Sequence, residues 1–149
     1  MRLTYEFILK DFAFWPSAPK TAQECSRNIL HSLILFSPLP AAPPFGDSTV
    51  FFRMSNCELL NYYRGTAPLA VYVMPDPASA ETERRLLGPD FGAGERCFTA
   101  IPRGLWFVRR LETEDPAGYA LIGCSLSSGY DDQDIETKTY GEIVKELSK

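Results

Sequence analysis

Histidine is nearly missing from this chain: His31 stands alone among 149 residues. One imidazole is too few for the histidine–carboxylate centres that hold divalent iron, zinc, nickel or manganese. It also has no G-x-S-x-G companion to form a serine hydrolase triad. The cysteines Cys25, Cys57, Cys97 and Cys124 show no CxxC or paired spacing, so reduced thiols are expected rather than a disulfide framework. Cys124 falls in an apolar run and reads as a small core residue. No basic run or stripe offsets a net charge of −4 and a pI near 5.0, which argues against nucleic acid and anionic membrane as partners. The longest apolar stretch, ILHSLILF at 29–36, is too short to cross a bilayer. MRLTYEFILKDF at the start lacks the long apolar region and cleavage site of a signal peptide, so a cytoplasmic protein is expected. FGAGER carries glycines without a following Lys-Ser/Thr or helix, which rules against a phosphate loop. The acidic run YDDQDIE (130–136) lacks the glycine and spacing of a calcium loop and reads as a solvated turn.

What the chain does have is short β-type runs separated by turn clusters. They are ILHSLILF (29–36), TVFFRM (49–54), ELLNYYR (58–64), LAVYVM (69–74), TERRLL (82–87), CFTAI (97–101), LWFVRRL (105–111) and YALIGCSL (119–126). Runs of that length and spacing predict an antiparallel barrel or sandwich. Prolines concentrate in the connections, above all in SPLPAAPPFGD (37–47), where a missing N–H disrupts no ladder. A helix is predicted at TKTYGEIVKELSK, with Tyr140, Ile143, Val144 and Leu147 on one face. A weaker helix signal lies at TAQECSRNIL (21–30). The length fits one domain, with no repeat and no linker to a second.

Gly46, Glu58 and Gly65 sit at the spacing G-x5-H-x-H-x3-E-x6-G, but Phe52 and Met54 occupy the two histidine positions. Gly94, Pro102 and Gly104 fit G-x5–7-P-x-G-x2-H-x3-N, with Phe107 at the histidine and Leu111 at the asparagine. These are the two sequence motifs of the cupins, which the chain resembles. The stretch LGPDFGAGERCFTAIPRGLWFVRR resembles one branch, the cupin-5 or domain-of-unknown-function 985 family. It matches at Leu87, Gly88, Pro89, Asp90, Gly94, Glu95, Pro102, Gly104, Trp106 and Arg110. Gly123, Cys124 and Gly129 match a second stretch of the same branch. The resemblance spans residues 29–147 and is specific from 87 to 129, while FAFWPSAP replaces the family's usual N-terminal signature. It implies an all-β fold, the double-stranded β-helix or jelly-roll barrel, followed by a short C-terminal helix. It divides the single domain 1–149 into a divergent segment (1–28), the barrel (29–129) and the helical end (130–149).

Side chains on a strand alternate between faces. If Phe52 and Phe107 take the ligand positions the resemblance implies, then Val50 and Met54 share the lumen face. Glu58, Leu60 and Tyr62 line the next strand, and Leu105 and Arg109 flank Phe107. Phe51, Arg53, Asn61, Tyr63, Trp106 and Arg110 face away. The expected lumen is apolar and aromatic, with Glu58, Tyr62 and Arg109 as its polar groups. A carboxylate there needs a partner, and Arg109 is the natural one. An apolar cavity with few convergent polar groups is the usual form of a small-molecule site.

Three functions follow. The first is a cofactor-free, metal-independent enzyme performing isomerisation, cyclisation or dehydration on a small, partly apolar molecule. Glu58 would transfer the proton with Tyr62 or His31 assisting, and Phe52, Met54, Leu60, Phe107, Arg109 and Val50 would bind substrate. The second is a small-molecule-binding or sensor protein with the same pocket. The third is a structural module whose barrel is filled by its own side chains. A homodimer is expected for each, because Phe51, Tyr63 and Trp106 face outward and eight strands with one short helix do not cover them all.

Overall fold

The computed structural model describes residues 30–36, 46–76, 78–126 and 132–148, with the backbone alone given for 30–36 and 132. Among them are nine strands, β1 (Leu30–Phe36), β2 (Val50–Met54), β3 (Glu58–Gly65), β4 (Leu69–Val73), β5 (Glu83–Leu87), β6 (Phe98–Ile101), β7 (Trp106–Leu111), β8 (Ala120–Leu126) and β9 (Ile135–Thr139). One helix, α1 (Tyr140–Leu147), follows. The pairings between these strands are all antiparallel, in a four-stranded sheet β1-β8-β3-β6 and a five-stranded sheet β5-β4-β7-β2-β9. Only β4 and β5 are neighbours in both chain and sheet, so the chain crosses between sheets at nearly every connection. That is the jelly-roll solution to burying the apolar faces of two sheets against each other. The eight strands expected from the sequence are all present. The helix signal over 21–30 falls outside the described residues except at Leu30, which begins β1.

The ninth strand corrects the reading of the acidic run as a turn. Asp132–Asp134 form one turn of 3-10 helix, and Ile135 and Glu136 then enter β9 against β2. Two features pin this edge. The Asp134 carbonyl accepts from Ser55 N–H at 2.9 Å, and its carboxylate accepts from Asn56 Nδ2 at 3.1 Å. Ile135 packs on the inter-sheet core while polar neighbours face water, which suits an edge strand.

Alternation sorts the apolar residues into two clusters. Between the sheets lie Met54, Leu60, Val71, Phe107, Ile122 and their neighbours. Outside the five-stranded sheet, Phe51, Met74 and Trp106 are buried beneath Ile143 of α1. Phe51 and Trp106 do face away from the lumen, but the helix covers both; of the three outward aromatics only Tyr63 stays exposed, at 53%. Arg53 and Lys138 lie over the Trp106 ring at 4.6 and 5.7 Å, paired respectively with Glu136 and with Glu136 and Glu146. Those exposed ion pairs add little by themselves.

The helix begins at Tyr140 rather than at Thr137, because Thr139 is its N-cap. The Thr139 hydroxyl accepts from Glu142 N–H at 3.3 Å, and the Glu142 carboxylate accepts from Thr139 N–H at 2.8 Å. This capping box satisfies two donors that the first turn leaves free. Thr139→Ala is expected to cost about 1 kcal/mol, read as a lower urea midpoint at unchanged slope. An unchanged midpoint would show that packing of Ile143 alone holds α1.

Candidate functional site

Strand register builds the site. Phe52 of β2 lies opposite Phe107 of β7, with ring centroids 6.2 Å apart and tilted by 40°. Met54, two residues on, is buried in the same inter-sheet cluster. Leu60 of β3 is fully buried, in register with Cys124 of β8 on one side and Thr99 of β6 on the other. Glu58 precedes it by two residues and is 5% exposed. Phe52, Met54, Glu58, Leu60, Phe107 and Arg109 therefore line one inter-sheet space, as alternation implied. Val50 does not join them: it sits at the start of β2, opposite Thr139, and is 43% exposed.

Arg109 reaches across this space from one sheet to the other. Its Nη1 donates to Glu58 Oε1 at 3.1 Å and lies 3.3 Å from Cys124 Sγ. Its guanidinium carbon stands 5.4 Å from the Phe107 ring centroid. Both side chains of the ion pair are more than nine-tenths buried. The second carboxylate oxygen, Glu58 Oε2, is buried and has no hydrogen-bond partner among the described residues. An unpaired buried acceptor of this kind costs about 1–3 kcal/mol.

Cys124 is the member that sequence reasoning treated only as core. The signal was available in the alternation of β8, which turns Ala120, Ile122, Cys124 and Leu126 toward the inter-sheet core. Its pairing with Leu60, beside Glu58, was not readable without the register. Burial pushes the Cys124 thiol up to about 12; Arg109 pulls against that rise, while Glu58 adds to it by its charge and by accepting from the thiol, a weak donor that leaves Oε2 without a full hydrogen bond. The thiol is therefore a neutral neighbour of the ion pair and a poor nucleophile.

Tyr62 occupies the other end of β3. Four residues at strand rise separate it from Glu58 by about 13 Å. Its hydroxyl donates to the Ala67 carbonyl at 3.1 Å and packs against Gly65, where a Cβ would come within 2.4 Å of that oxygen. Burial raises the Tyr62 pKa, and the charges of Glu95 and Tyr119 raise it further. The structure thus does not bring Tyr62 and Glu58 together. For His31 only the backbone is described: it pairs with Ser125, one place out of step with the Ser32–Cys124 pair.

Several residues that matched the second motif or the cupin-5 stretch build loops instead of the site. Gly88 accommodates the Glu95 carboxylate, which accepts from Asp90 N–H at 2.8 Å and would be 2.1 Å from a Cβ at position 88. Asp90 caps the short 3-10 turn Phe91–Ala93, and Gly94 ends it at φ 85°. Gly104, at φ 79°, donates its N–H to the Met54 carbonyl and ties the β6–β7 turn to the end of β2. Only glycine takes such angles without strain.

The resemblance to the cupins raises the question of a metal, and the donor set answers it. Phe52, Met54 and Phe107 supply no ligand at the histidine positions, and Glu58 is engaged by Arg109. Among the described residues no three of His, Cys, Asp and Glu gather to hold an ion. These residues do not fit a cupin metal centre.

No curated protein is significantly similar to the chain. Among solved structures, a protein of Shewanella oneidensis is 27% identical, with a TM-score of 0.59, covering 90% of this chain and 84% of its own. A hypothetical protein from Leishmania major is also 27% identical, with a TM-score of 0.53 over 71% of this chain. The match spans only 63% of the Leishmania protein's length. A dTDP sugar isomerase from Desulfovibrio desulfuricans, 14% identical, has a TM-score of 0.53 over 83% of this chain and 72% of that one, a likeness of fold alone. No helix among the described residues is long and apolar enough to cross a membrane. Residues 19–138 match the profile of the family described as Cupin superfamily (DUF985), and with most of its length so matched, the chain belongs to that family.

Proposed function

We propose that the barrel takes up a small, partly apolar organic molecule and acts on it, without a metal, by proton transfer at Glu58, in an isomerisation, cyclisation or dehydration. The observation that carries this reading is Glu58 Oε2, buried and unpartnered beside Arg109 in an apolar, aromatic surround. A ligand donor aimed at that oxygen would remove the cost of leaving it unpaired. Arg109 would fix the carboxylate, while Phe52 and Phe107 would hold the ligand's apolar body. The sugar isomerase of similar fold is a precedent for isomerase chemistry on such a barrel, with no residue carried over from it.

A binding or sensor protein with the same pocket is the second reading. It is favoured by the distance of Tyr62, whose proton goes to Ala67 and leaves Glu58 without that acid. Native mass spectrometry and elemental analysis of one preparation test the shared premise. The expected result is a non-covalent small-molecule adduct that Glu58→Leu loses, with only traces of transition metal. A full equivalent of iron, zinc, nickel or manganese would sink the metal-free mechanism, and a bare chain that takes up no small molecule would leave the filled-barrel module.

We also propose self-association. Tyr63, Phe91 and Phe98 are each more than half exposed, and exposed apolar surface of that kind marks contact sites. Sedimentation at micromolar concentration should give twice the chain mass; a strict monomer contradicts it.

A further inference from the structure

We infer that the molecule held in the barrel is electrically neutral and presents a hydroxyl, or another uncharged donor, to Glu58 Oε2. The inference rests on the reading that the lumen binds a ligand and adds what kind. Its ground is the charge balance around Glu58 among the described residues; the other buried carboxylate, Glu95, sits against Gly88. Arg109 is matched to Glu58, so the buried pair carries no net charge. On the same register row, across Val71, stands Arg85. It is matched to Glu83 at 2.9 Å and donates to the Ala100 carbonyl at 2.9 Å. The Cys124 thiol beside the pair is held protonated by its burial and adds no charge.

A neutral buried ion pair discriminates against ions. An anionic ligand would lose its hydration and meet the Glu58 carboxylate with Arg109 already committed to that carboxylate. A cationic ligand would find an acceptor at Oε2, but with the Arg109 guanidinium at hydrogen-bond distance from the same carboxylate. An uncharged hydroxyl meets neither penalty. It donates to Oε2, the one buried side-chain polar atom left unpaired among the described residues, and its apolar body rests on Phe52 and Phe107.

Methionine methyl groups report on the site without a known ligand. Of the chain's three methionines, Met54 packs in the inter-sheet cluster and Met74 beneath α1, so Met74 is an internal control. The full chain carrying 13C-methyl methionine is titrated with benzyl alcohol, benzoate and benzylamine, which share a ring and differ in charge. Benzyl alcohol should shift the Met54 signal saturably and leave Met74 in place. Benzoate and benzylamine should bind at least about tenfold more weakly, because each must desolvate a charge against a neutral pair. Glu58→Gln leaves Arg109 unbalanced and should reverse the order in favour of benzoate. Wild-type binding of benzoate or benzylamine as tight as benzyl alcohol overturns the inference and leaves the ligand-binding reading standing. Failure of all three to move Met54 overturns the ligand-binding reading and the inference with it.

Discussion

Arg109→Met is expected to lower the unfolding free energy by roughly 3–5 kcal/mol. The change removes the guanidinium from Glu58 while both positions stay more than nine-tenths buried. Oε1 then joins Oε2 as a buried oxygen without a partner. The loss measures an orphaned charge, not the worth of the pair. Forming the pair already required two ions to leave water, and that cost offsets most of their attraction. The double replacement Glu58→Leu with Arg109→Met therefore should recover nearly all the stability and can exceed the wild type. Urea unfolding of the three chains at one pH, with slopes held equal, decides the matter. A small loss in the single variant would show that water reaches Glu58. A large loss in the double variant would show that the pair holds the two sheets together in a way apolar packing does not replace. That second outcome would make the pair structural and weaken its assignment to a site.

The same pair shows what the sequence could reveal. Alternation on β3 and β7 places Glu58 and Arg109 inward, and the physics of a buried carboxylate names its partner; the 3.1 Å contact agrees. Neither step needs the register, because inward charges in a small barrel have few places to go. Leu60, Phe52, Met54 and Phe107 follow the same rule. Val50 departs from it because facing inward and being buried are different properties: at the first residue of β2 the inward face is already the rim. Tyr62 and Glu58 also share a face, yet four residues of strand separate them, a distance that period-two patterning does not convey.

Two elements were hidden for different reasons. β9 is rich in polar residues, IETKT, because it is an edge strand with one side toward water, so it lacks the β-type run that marked the others. Its location depends on pairing with β2, which is information about tertiary structure. The cover over Phe51 and Trp106 was half legible. The apolar face of the C-terminal helix is plain in the sequence, but not what it would rest on. Ile143 settling over Phe51, Met74 and Trp106 turns outward aromatics into a second core. The prominent LGPDFGAGE stretch had the opposite fault. It marks the family strongly while its glycines and acids serve loop closure, with Glu95 seated against Gly88.

Glu58→Gln is expected to preserve the fold and slow proton transfer by roughly two orders of magnitude or more. Glutamine keeps the size of the side chain and can still accept from Arg109 through its carbonyl, so the position stays bridged to β7 and β8. What it loses is the capacity to take and return a proton. That loss can be observed without knowing the product. The small molecule that co-purifies with the protein, incubated in D2O, should exchange a carbon-bound hydrogen in the presence of wild-type chain, followed by proton NMR. Glu58→Gln should bind it and exchange it at a rate close to the unassisted one. Tyr62→Phe separates the roles on β3: a hydroxyl bonded to Ala67 and about 13 Å from Glu58 should change the exchange rate little, although losing that bond will lower stability. Equal exchange by wild type and Glu58→Gln would remove Glu58 from catalysis. Exchange by neither, with binding intact, would assign the barrel to recognition without reaction, in which the buried carboxylate selects the ligand and does nothing further to it.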